Sequence, residues 1–210
     1  MMIGPRIFYS QIFRDRPMEN PYQAPQAELD THGESSTPFF TTSITKLIVL
    51  YIATLGFYRL YWFYKHWKAL QVHEGLKVAP VWRSIFSIFF THSLFKHIAN
   101  SHQERGLGSW GAHAMMATLY VLMTVGGELA ARIQTSDVFG VWDIALLVTS
   151  IIPLYTLYEA QTYANRVNQD PDGESNSRFS PWNILFVFMG VAIWGTVAFA
   201  ILAQFTTILD

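Results

Sequence analysis

Histidines and a few charges set inside apolar stretches are the residues of this sequence whose types could do chemistry. Among the histidines are His66, His73, His92, His97, His102 and His113. Metal sites on a helix commonly use spacings of three or four residues. His92, His97 and His102 are five apart, and five residues turn a helix by about 500°, so neighbours point about 140° apart. His66 and His73 share a face, but Lys65 and Lys68 beside them oppose a cation. His73-Glu74 is not followed by the second His of a metalloprotease motif, and no Gly-x-Ser-x-Gly or Gly-rich phosphate loop occurs. With no Cys there is no thiol nucleophile, disulfide or Cys-ligated zinc. The residues therefore predict no catalytic group, no metal and no cofactor. An enzyme working through His92, His97 or His113 would need two of them beside a carboxylate. What remains is Arg59, Glu128, Asp143 and Glu159.

These four matter because of the elements that must carry them. Charged residues are 14% of the chain, hydrophobic residues 51% and aromatic residues 16%. A soluble domain carries about 25% charge, so the deficit points to lipid. The net charge of −1 does not suit a nucleic-acid partner. Residues 179–209 and 107–127 lack Asp, Glu, Lys and Arg, as do 144–158 and 47–58. A crossing needs about 20 apolar residues. Extending the third run to 138–158 and the fourth through Arg59 to Tyr64 predicts four transmembrane helices. The shorter run 84–95, bounded by Arg83 and Lys96, reads as an interfacial or partly inserted helix over 81–98. Residues 1–43 are polar and Pro-rich, a disordered tail without an apolar leader before Phe39, in which Met18 offers a second start.

The expected fold is thus all-α: an integral membrane helix bundle over residues 44–210 of about four transmembrane helices plus one interfacial helix. With four spans, the Lys and Arg bias places loops 65–105 and 159–178 in the cytoplasm and both termini outside. Five spans would put the N-terminus inside. A weak repeat relates 44–98 to 141–203, matching Tyr58 with Tyr158, Glu74 with Glu174, Trp82 with Trp182 and Phe86 with Phe186. It also matches Arg59 with Glu159, the ion pair first expected; snorkelling of both to the interface is the alternative. Glu128 and Arg132 are four apart and face each other on a helix. Asp143 reads as a proton or cation site or as an interfacial residue. Gly126-Gly127, Gly190 and Gly195 read as close packing points.

The segment 57–67, FYRLYWFYKHW, is the most distinctive in the chain. Trp and Tyr favour the headgroup level, and each Lys near an anionic surface adds about 1 kcal/mol. Tyr61, Trp62, Tyr64, Lys65, Trp67 and Lys68 are accordingly candidate lipid contacts. Thr54-Leu55-Gly56-Phe57-Tyr58, followed by Tyr61-Trp62-Phe63-Tyr64, resembles the Thr-x-Gly-x-Tyr-x-x-Tyr-Trp-Phe-Tyr signature of a group of bacterial multi-pass inner-membrane proteins of unknown function. Residues 80–87, 93–96, 165–168 and 179–183 are similar to that group too, and the leader Asn-Pro-Tyr-Gln-Ala-Pro resembles those ahead of many proteobacterial membrane domains. Arg59 departs from it, since a small or apolar residue is usual there. The resemblance implies a bacterial inner membrane and supplies no activity. The expected role is a non-enzymatic, lipid-interacting accessory module, with the bilayer and an unidentified membrane protein as partners. The alternative is a small-solute or ion transporter or channel using the four charges.

Overall fold

The computed structural model describes residues 37–133 and 141–209. Among them seven α-helices follow one another: α1 (Ile44–Ala53), α2 (Tyr58–His73), α3 (Pro80–Ile85), α4 (Ser87–Glu104), α5 (His113–Ile133), α6 (Val141–Val167) and α7 (Pro181–Leu209). No strand occurs among the described residues, as the all-α expectation requires. The stretches His113–Arg132 and Pro181–Ala203 are long and apolar enough to cross a membrane. The core helix of a soluble protein can pass the same length test, but it is mostly buried. Almost none of the α7 stretch is covered by the rest of the chain, and little of the α5 stretch is.

The first expected span does not form. Residues 47–64 fall into α1 and α2, with a turn between them. Ten helical residues rise about 15 Å, half of a ~30 Å hydrocarbon core, so α1 alone is too short to cross. The turn is a Schellman closure. Gly56 N–H donates to the Tyr51 carbonyl (2.7 Å) and Leu55 N–H to the Ile52 carbonyl (3.1 Å). Leu55 and Gly56 both adopt positive φ, 51° and 85°, so Leu holds the left-handed position that Gly usually takes. The Thr54 hydroxyl donates to the Leu50 carbonyl and accepts from Tyr58 N–H, each at 2.8 Å. Thr54 thereby closes α1 and opens α2. Farther along α2, the His66 ring lies 6.1 Å from Phe39 and 5.9 Å from Phe40, which precede α1. The chain has doubled back.

A second bend replaces the expected interfacial helix 81–98. α3 descends along α2, with the Arg83 guanidinium 4.2 Å from the Trp67 ring. The chain breaks at Phe86 (φ −95°, ψ 37°) and α4 climbs back. Its His97 ends 3.7 Å from Glu74 at the top of α2. Val81, Trp82, Ile85, Phe86 and Phe89 stand exposed around this bend. The two proposed repeats therefore differ in form. Each long helix of the second copy, α6 or α7, corresponds to a broken pair in the first.

Glycine packing is selective. A Cβ at Gly127 would sit 2.9 Å from the Thr149 hydroxyl, and one at Gly190 would overlap Ala53, so these two bring α5 to α6 and α7 to α1. Gly126 and Gly195 face open space. α6 runs on through Pro153.

Candidate functional site

The two helical bends converge on Arg59. It lies in the first turn of α2, and its guanidinium is 3.9 Å from the Glu128 carboxylate near the end of α5. The Arg59–Glu159 pairing is thus corrected, and so is Glu128–Arg132. The bend after Thr54 turns Arg59 towards α5, while Glu159 lies beside Tyr155 on its own helix. Glu128 has a 67% exposed side chain, and an ion pair that open contributes at most about 1 kcal/mol in water. A cavity of about 230 Å³ lies on one side of the pair, lined by Tyr51, Leu55, Phe57, Thr124 and Thr149. Another, of about 340 Å³, lies on the other side between Leu60, Ile85, Phe86 and Arg132. Asp143 lies outside the described side chains.

The aromatic segment serves two ends. Trp62 and Trp67 are fully buried with Phe63, His66 and Leu70, so neither can be a lipid contact. Residues 63, 66, 67 and 70 form one helical face turned into the core. Tyr61, Tyr64, Lys65 and Lys68 stay at least partly exposed, and the Lys65 ammonium lies 5.7 Å from the Phe40 ring.

Behind that face runs a chain of buried amides. The Trp62 indole N–H donates to Gln161 Oε1 (2.6 Å), and His66 Nε2 approaches the same oxygen at 3.3 Å. Gln161 Nε2 donates to the Phe40 carbonyl (3.0 Å) and to Asn165 Oδ1 (2.7 Å). Asn165 Nδ2 donates to the Thr42 carbonyl (3.0 Å), and Asn168 Nδ2 to the Phe39 carbonyl (2.7 Å). Asn176 Nδ2 continues with the Thr41 carbonyl (2.8 Å). Residues 37–43, grouped by the sequence with the tail, are thus an extended segment clasped by α6 and the following loop. Gly173 lies against the Thr42 backbone, where a Cβ would overlap it. Burial pushes the His66 imidazole down to about 3, against the raising effect of its Gln161 hydrogen bond. It is neutral at physiological pH, and its Nδ1 has no partner.

At the start of α7 a third cavity, of about 310 Å³, is lined by Phe40, Lys46, Tyr58, Tyr61, Arg178, Ser180 and Asn183, among others. Lys46 is only 5% exposed. Its ammonium donates to Asn176 Oδ1 (2.6 Å) and to the Arg178 carbonyl (2.7 Å). Both acceptors are neutral, and burial lowers its pKa. The sequence reading missed Gln161, Asn165, Asn168 and this cavity. A signal existed: positions 161, 165 and 168 are spaced four and three apart, one amide stripe on a helical face.

No family model, no curated protein and no solved structure matches the chain. The described residues define an all-helical fold in which two helices are long and apolar enough to cross a membrane.

Proposed function

We propose that this chain is a non-enzymatic, multi-pass membrane protein whose polar end meets lipid headgroups in a bacterial inner membrane. In this reading α5, α6 and α7 cross the bilayer, while the α1–α2 and α3–α4 bends enter it part-way and return. One observation carries the reading: both bends present apolar side chains at their tips. Phe57 is 69% and Phe89 72% exposed, with Leu55, Ile85 and Phe86 beside them. Patches of this kind on a water-soluble surface would be costly. On α7 the tip of α1 reaches Gly190 and Trp194, whose indole N–H donates to the Ile52 carbonyl (3.0 Å). Gly190 lies nine residues after Pro181, about 14 Å along a helix, roughly half of a hydrocarbon core.

The polar end gathers Lys46, Lys65, Lys68, Lys77, Lys96, Arg105, Arg166 and Arg178. The positive-inside rule places that end in the cytoplasm, and residues 37–43 go with it. The resemblance of residues 54–64 to bacterial inner-membrane proteins agrees with this location.

The absence of native cysteine makes the test direct. Single thiols replacing Phe57 or Phe89 should resist a membrane-impermeant maleimide in vesicles and react after detergent is added. A thiol at Lys77 should react at once from the polar side. Equal labelling at all three positions refutes membrane insertion of the bends.

A transport reading rests on Arg59 and Glu128 between their two cavities. Ion or solute flux in proteoliposomes that Glu128→Gln abolishes would favour it.

A further inference from the structure

We propose that the cavity at the start of α7 is an anion site that takes the phosphate group of an anionic phospholipid, whose headgroup holds no cation to offset that phosphate. The lipid source rests on the membrane reading above; the phosphate chemistry does not. Two cations, Lys46 and Arg178, line the cavity and no Asp or Glu does. Lys46 is 95% covered, and both its protein partners are uncharged oxygens. A buried charge without a counter-charge is expensive, and an anion in the cavity supplies the missing one. Two of the three ammonium hydrogens are engaged, so the third can go to a ligand. Arg178 offers a planar donor fork that suits phosphate oxygens. The site sits at the positive end of the 29-residue helix α7, which favours negative charge within its first turn.

The walls set the size and class of ligand. Phe40, Tyr58, Tyr61 and Phe179 form aromatic sides, and Ser180 and Asn183 complete the polar part of the lining. About 310 Å³ holds a phosphate with a short glycerol stub. Trp182, 71% exposed, stands just beyond the site, at the level where Trp marks a membrane interface.

The test uses the full chain in neutral detergent and in nanodiscs. Phosphatidylglycerol should raise its melting temperature, and phosphatidylcholine should not. Lys46→Met, which keeps the length and removes the charge, should lose that shift and weaken phosphatidylglycerol binding at least tenfold. Arg178→Gln should do the same while keeping the backbone carbonyl that Lys46 uses. The double variant Lys77→Ala/Lys96→Ala changes exposed charges elsewhere and should keep the shift. Inorganic phosphate is the second probe. A shift with phosphatidylglycerol alone supports the lipid source, and a shift with phosphate alone supports the anion site with a free ligand. Wild-type binding by Lys46→Met, or equal loss in the Lys77/Lys96 variant, overturns the site. Impermeant labelling of the bends would refute membrane insertion yet leave the phosphate result standing, so the two failures are separable.

Discussion

Among the described residues Gln161 makes more side-chain polar contacts than its neighbours Asn165 and Asn168. Its oxygen accepts from Trp62 and faces His66, and its nitrogen serves Phe40 and Asn165. Gln161→Ala removes the partner of the Trp62 indole, the Phe40 carbonyl and the Asn165 side-chain oxygen. Each buried polar group left unpaired costs about 1–3 kcal/mol, so a melt in detergent should show one of the larger losses of any single change. His66 adds a dependence on pH. Its folded pKa, about 3, lies below the ordinary imidazole value of 6.5. The unfolded chain therefore takes up the proton first on acidification. This contribution is full above pH 6.5 and is lost as pH falls from there towards 3. His66→Phe should remove that part of the slope. The quantity to compare is the wild-type minus variant melting temperature across the window.

The turn between α1 and α2 rests on backbone conformation more than on side-chain burial. Leu55 and Gly56 both sit at positive φ. A β-carbon at Gly56 would also stand 3.4 Å from the Tyr51 ring. Gly56→Ala should cost about 1–2 kcal/mol, read as a lower melting temperature. The same turn shows where sequence reading stops. Helices α5 and α7 were legible because long charge-free runs carry their own signal. The break at residues 54–57 was not, because hydropathy averages across it and a lone Gly in an apolar run reads as a packing point. Nor does sequence mark Leu55 as left-handed. The Arg59 partner was equally hidden. Periodicity relates Glu128 to Arg132 on one helix, but the bend that brings Arg59 to α5 is tertiary. The aromatic segment failed for another reason: Trp suits both an interface and a core, and only packing decides.

Across the whole molecule the segment 37–43, the loop after α6 and the top of α4 form one polar end. Arg105 at the end of α4 donates to the Val167 carbonyl at the end of α6, which fastens that end together. An odd number of crossings follows from the proposed arrangement, in place of the four of the sequence reading. Thiols at Lys68 and Asp172 should then label from one side of the membrane and a thiol at Arg132 from the other. Labelling of all three from a single side would exclude α5 as a crossing helix.

The clasp on residues 37–43 also has a consequence in time. The bonds from Asn168 to Phe39 and from Asn176 to Thr41 join residues 129 and 135 apart in sequence. During synthesis the extended segment leaves the ribosome long before any of its amide partners exist. Lys46 waits as well, since Asn176 and the Arg178 carbonyl come 130 and 132 residues later. Non-local closures of this length come late. The polar end is therefore completed by the last third of the chain, and a nascent chain stopped before Gln161 would hold its N-terminal segment open to proteases and chaperones.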